Sequence, residues 1–187
     1  MRTVLQVAVM IALCSGAACT GKVNPTVSPS GRAAAASGSG AAPPGQVNLD
    51  CSGPIDMVSS PTGPQRGILD VVGLDITSTL QVGRTDGIGP HRLFAKTALL
   101  IHAGREGDLT VPTSWATRLS IAWGNHAPEW STDLHIPACP APPAASGRWL
   151  VFPGGFSLDE AACVPLQIRA GKETATVHVS VGARCQG

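Results

Sequence analysis

A chain of 187 residues carries 13 Lys and Arg against 12 Asp and Glu, a formal net charge of +1, so it lacks the basic surplus that draws proteins to a phosphate backbone. No nucleic-acid partner is expected. Charged residues make up only 13% while Gly and Pro number 22 and 16, a balance typical of turn-rich β proteins that excludes a helical bundle.

Residues 1–18 read as a signal peptide, with Arg2 as its charged start and an apolar run at residues 4–14 interrupted only by Gln6. At 11 residues that run is too short to span a bilayer. The following Ser15-Gly16-Ala17-Ala18-Cys19 resembles the lipobox of bacterial lipoproteins. That resemblance implies a lipid on Cys19, a membrane partner through that lipid, and a place on the outer face of the cell membrane. Gly16 stands where a lipobox usually has Leu or Val, so cleavage near Ala17 or Ala18 to a secreted protein is the alternative. Residues 19–46 form the anchor and a flexible tether, because 19 of the 27 residues after Cys19 are Ala, Gly, Pro or Ser. As a coil it reaches about 30 Å.

Residues 47–187 are the folded domain. Residues 68–76 read as its first strand, and residues 92–103 as a long one that Gly104-Arg105-Glu106-Gly107 turns into Leu109-Thr110-Val111, a hairpin signal. Residues 118–123 alternate, with Leu119, Ile121 and Trp123 on one face and Arg118, Ser120 and Ala122 on the other. Residues 132–136 and 148–152 are shorter strands, and Ser157-Leu158-Asp159-Glu160 offers one capped helical turn. The clearest pattern is a C-terminal hairpin across Gly171-Lys172. Its inward residues are Val164, Leu166 and Ile168 on one strand and Ala175, Val177, Val179 and Val181 on the other. Pro165 places the first of these strands at or along an edge. About seven short strands with turns between them predict an all-β fold, an antiparallel β-sandwich of immunoglobulin-like architecture.

Cys51, Cys139, Cys163 and Cys185 remain once Cys14 and Cys19 are set aside. An even number in an exported domain predicts two disulfides. Of the three connectivities we favour the nested one, Cys51–Cys185 with Cys139–Cys163, because the first pair brackets the domain. With residues 118–124, 149–156 (WLVFPGGF) and 162–170 (ACVPLQIRA), the cysteine pattern resembles a group of uncharacterised actinobacterial exported proteins over residues 93–185. The resemblance implies a cell-envelope location and carries no activity.

The densest ionisable stretch is residues 126–135. On its strand, Ser131, Asp133 and His135 share a face, but same-face neighbours stand almost 7 Å apart and point in parallel, which is not the convergence a nucleophile, base and orienter need. No G-x-S-x-G elbow occurs. His126, Glu129, Asp133 and His135 are weak candidates for a metal, chemically suited but without a recognised spacing. No cofactor is expected. Among the tryptophans, Trp123 and Trp149 read as core, while Trp115 and Trp130 lie in loop-like sequence and are candidate ligand contacts, for stacking on a glycan ring or anchoring an envelope protein. His102 reads as a core-edge histidine and His178 as outward-facing. The expectation is a noncatalytic envelope binding module. Its rival is an exported enzyme or metal protein using residues 126–135.

Overall fold

A computed structural model describes residues 45–85, 87–126, 128–141 and 148–186; the expected signal peptide, Cys19 and nearly all of the tether lie outside the described residues. The first strands are β1 (Val47–Asn48), β2 (Asp56–Val58), β3 (Gln65–Ile68), β4 (Val72–Asp75), β5 (Thr79–Leu80), β6 (Gly83–Arg84) and β7 (Leu93–His102). They are followed by β8 (Gly107–Thr110), β9 (Leu119–Trp123), β10 (Asp133–Ile136), β11 (Trp149–Leu158), β12 (Ala162–Ala170) and β13 (Glu173–Val181). One sheet runs β1-β10-β8-β12-β13-β5. The other runs β2-β11-β7-β4-β3, with β6 added to β7 and β9 to β11. All pairings are antiparallel except β1 with β10 and β13 with β5. The fold is thus the expected antiparallel β-sandwich, divided into more strands than expected.

Alternation explains the core. Leu99 and Ile101 of β7, Phe152 and Phe156 of β11, Leu109 of β8, Ile136 of β10 and Leu166 of β12 are all at 0% exposure. Each such side chain contributes about 1.5–3 kcal/mol of transfer free energy. Trp123 packs edge-on against Phe156 with ring centroids 5.4 Å apart. The C-terminal hairpin has the expected register, Val164 opposite Val179, Leu166 opposite Val177 and Ile168 opposite Ala175. Pro165 lies outside the part of β12 that pairs with β8, Gln167 to Arg169, so on that side its missing N–H interrupts no ladder bond.

Three local expectations are corrected. Residues 68–76 are not one strand: Ile68 ends β3, residues 69–71 make the hairpin turn with Leu69 at φ +51° and Asp70 at φ +54°, and Val72–Asp75 are β4. Asp70 tolerates that conformation, and Arg105 Nη2 and His102 Nδ1 hold its carboxylate at 2.9 and 3.0 Å. Residues 104–107 do not close a hairpin: β7 belongs to one sheet and β8 to the other, so this turn carries the chain between layers. Ser157 and Leu158 are strand rather than helical turn, because β11 continues through Pro153-Gly154-Gly155. There a Cβ on Gly154 would collide with the Ala122 carbonyl and one on Gly155 with that of Ala95, so only glycine lets β7, β11 and β9 lie side by side.

The disulfides are Cys51–Cys139 and Cys163–Cys185, not the nested pairs. Parallel pairing of β1 with β10 is the reason: Cys51 and Cys139 each lie three residues past the end of one of these strands, at the same end of the sheet. Cys163 stands opposite Ser180 in the hairpin, and Cys185 returns to it, donating its N–H to Ser180 Oγ at 2.9 Å. Two such bridges mark an oxidising, extracellular environment. Gln46, assigned by composition to the tether, belongs to the fold, since its Nε2 donates to Asp108 Oδ1 at 3.2 Å and Asp133 Oδ1 at 3.0 Å.

Candidate functional site

The outer face of the second sheet carries a cross-strand row in exact register, Phe94 of β7, Ser157 of β11 and Ser120 of β9. The inward alternates beside them, Ala95, Phe156 and Ile121, fill the core. Gly87-Ile88-Gly89-Pro90 cannot continue a strand and instead wraps over this row. Thr85 closes the loop base, donating its N–H to the Arg92 carbonyl at 3.0 Å and its hydroxyl to the His91 carbonyl at 2.7 Å. Gly89 lies so close that a Cβ there would stand 2.6 Å from Ser157 Oγ and 3.2 Å from the Trp130 ring.

His91 pins the loop down. Its backbone N–H donates to Ser157 Oγ at 3.0 Å, and its ring bridges Asp159 Oδ1, 3.2 Å from Nδ1, and Ser120 Oγ, 3.3 Å from Nε2. With the proton on Nδ1, the ring donates to the carboxylate and accepts from the serine hydroxyl. Arg92 donates its Nε–H to the Asp159 carbonyl, fixing the residue that orients the ring.

Trp130 meets Phe94 edge-on, with centroids 6.0 Å apart, and stands as a half-buried wall between two clefts. On one side is a polar cleft of about 580 Å³ lined by Gln46, Asn48, Ser120, Glu129 and Ser131. On the other is a cleft of about 400 Å³ lined mainly by Ile88, Phe94, Pro128 and Pro153, with Asn125 at its margin. Ile88 is 56% exposed, an unusual position for a large aliphatic side chain unless something covers it.

The other sequence candidates separate. Trp115 is half-buried against the core and the Arg118 guanidinium sits 4.0 Å above its ring, so its own chain occupies that face. Trp123 and Trp149 are buried as expected, and His102 stacks on Trp149 at 4.9 Å while its Nδ1 lies 3.1 Å from the Asp70 carbonyl. His126 is exposed, 3.8 Å from Asp50, whose carboxyl is held below the ordinary range by the Ser52 backbone N–H, then by the Ser52 hydroxyl. Glu129 faces the polar cleft. Asp133 accepts from Gln46 and Thr110, and His135 pairs with Asp108 at 2.9 Å, which Arg169 also meets at 2.6 Å. The four metal candidates are therefore dispersed over separate partners, and no group of three His, Cys, Asp or Glu able to hold a metal occurs among the described residues. Ser131 bonds the Asp133 backbone in both directions and engages no histidine.

Sequence reading missed His91 and Asp159 as site residues. They lie 68 positions apart, and no spacing rule links a loop, a strand and a strand end. The Gly-Ile-Gly-Pro loop was the available signal. No protein-family model, curated protein or solved structure matches the chain. Its class therefore rests on the fold itself, an all-β sandwich with two disulfides.

Proposed function

We propose that this protein is a binding module of the cell envelope, held at the outer face of the membrane by a lipid on Cys19 and taking a saccharide at Trp130. The Cys19 anchor is supported by the lipobox-like residues 15–19 and by the small-residue tether that follows them. The observation that carries the ligand class is the indole of Trp130 standing between a cleft of hydrogen-bonding groups and an apolar one. A pyranose ring has the same two characters, hydroxyls at its rim and an apolar C–H face that stacks on indole. A protein partner would need a broader apolar patch, whereas the exposed large hydrophobics among the described residues are Ile55, Met57 and Ile88.

The test is tryptophan fluorescence during titration with isolated cell-wall saccharide. A saturable change that disappears in Trp130→Ala and persists in Trp115→Ala is expected. Equal responses from both variants, or none from the parent, would rule out the Trp130 site.

A further inference from the structure

We propose that Ser120, His91 and Asp159 form a nucleophile, base and orienter that hydrolyse acyl esters on the saccharide held at Trp130. The inference rests on that binding reading and goes past the noncatalytic expectation of the sequence. Three observations support it. The three groups stand in line, Ser120 Oγ 3.3 Å from His91 Nε2 and Asp159 Oδ1 3.2 Å from His91 Nδ1, which is the order of contacts that activates a serine. Ser120, although only 9% exposed, is one of the residues lining the polar cleft beside Trp130. The apolar cleft across the same indole offers Ile88, Phe94 and Pro153 to an acyl group. This convergence is what residues 126–135 lack.

In the first step Ser120 Oγ bonds to the ester carbonyl carbon while its proton passes to His91 Nε2. Collapse of the tetrahedral intermediate breaks the carbon–oxygen bond to the sugar, and His91 returns the proton to the departing sugar oxygen. Water then attacks the acyl-serine, giving its proton to His91, and the carboxylic acid leaves as Ser120 regains its own. Nothing is oxidised or reduced, and water is the only co-reactant.

The experiment is labelling of the full chain with a fluorophosphonate, read by intact mass and peptide mapping, alongside hydrolysis of p-nitrophenyl acetate. One adduct on Ser120 is expected. It should be absent in Ser120→Ala and retained in Ser78→Ala, whose hydroxyl donates to Asp75 and lines neither cleft at Trp130. Ester turnover should fall about 10³-fold or more in Ser120→Ala and about 10-fold or more in Asp159→Asn. Unchanged melting of Ser120→Ala separates lost chemistry from lost fold. No adduct, or an adduct elsewhere, overturns the proposal. If saccharide still quenches Trp130 in that case, the binding reading stands and His91 is only a clamp on its loop. An adduct on Ser120 with no saccharide response overturns the saccharide-ester assignment together with the binding reading.

Discussion

Asp50 accepts from the Ser52 backbone N–H at 2.9 Å and from the Ser52 hydroxyl at 2.8 Å, just before the bridge at Cys51. Both bonds favour the charged carboxylate, and His126 at 3.8 Å adds a weaker attraction, so the group titrates below the ordinary Asp range. A depressed carboxyl pKa contributes stability that is present above the unfolded value and lost as pH falls through the folded one. The contribution at this exposed turn is local and small. Carboxyl NMR titration should place Asp50 below an ordinary Asp, and Ser52→Ala should raise it only part of the way back, because the larger cause, the backbone N–H, survives. A titration unmoved by Ser52→Ala would show that the hydroxyl plays no part.

At the scale of elements, β11 decides most, since it pairs with β7 along all ten residues and with β2 and β9 on its other edge. Gly155 at φ +155° lets the Ala95 carbonyl sit where a Cβ would be. Gly155→Ala must push β7 and β11 apart, a cost of about 3 kcal/mol or more by analogy with overpacked cores. Because Ser157 is two residues further on and opposite Ser120, the same change should loosen the His91 loop. Urea unfolding and hydrogen exchange at the His91 amide measure both effects; a loss under 1 kcal/mol would contradict the close approach. This strand also marks the limit of what local pattern reveals. The β12–β13 hairpin was legible because its alternation and its Gly171 turn are contiguous, and β9 because Leu119, Ile121 and Trp123 alternate without interruption. In β11 the same rules read Pro-Gly-Gly as an end, since the carbonyls that require glycine belong to strands distant in sequence. The layer change between β7 and β8 and the Ser120–His91–Asp159 line depend likewise on long-range pairing, which no window of sequence contains.

For the whole molecule, the two disulfides have unequal work. Cys51–Cys139 closes an 88-residue separation and Cys163–Cys185 one of 22, and loop-closure entropy makes the first more stabilising by about 1 kcal/mol, from totals of about 3–5 kcal/mol each. The folded side widens the gap. Cys163–Cys185 ties residue 185 to a hairpin of two nine-residue strands that keeps its own ladder, whereas Cys51–Cys139 secures β1, a two-residue edge strand on β10. Gln46, Val47 and Asn48 line the polar cleft at Trp130, so loosening β1 removes one wall of the site. Replacing Cys51 and Cys139 with Ala should therefore cost more stability than replacing Cys163 and Cys185, and should also weaken the Trp130 fluorescence response, while the second pair of substitutions leaves that response intact. Denaturant unfolding and saccharide titration of the two double variants provide the comparison. A larger loss from the Cys163 and Cys185 pair, or an unchanged Trp130 response without Cys51–Cys139, would break the link between this bridge and the cleft.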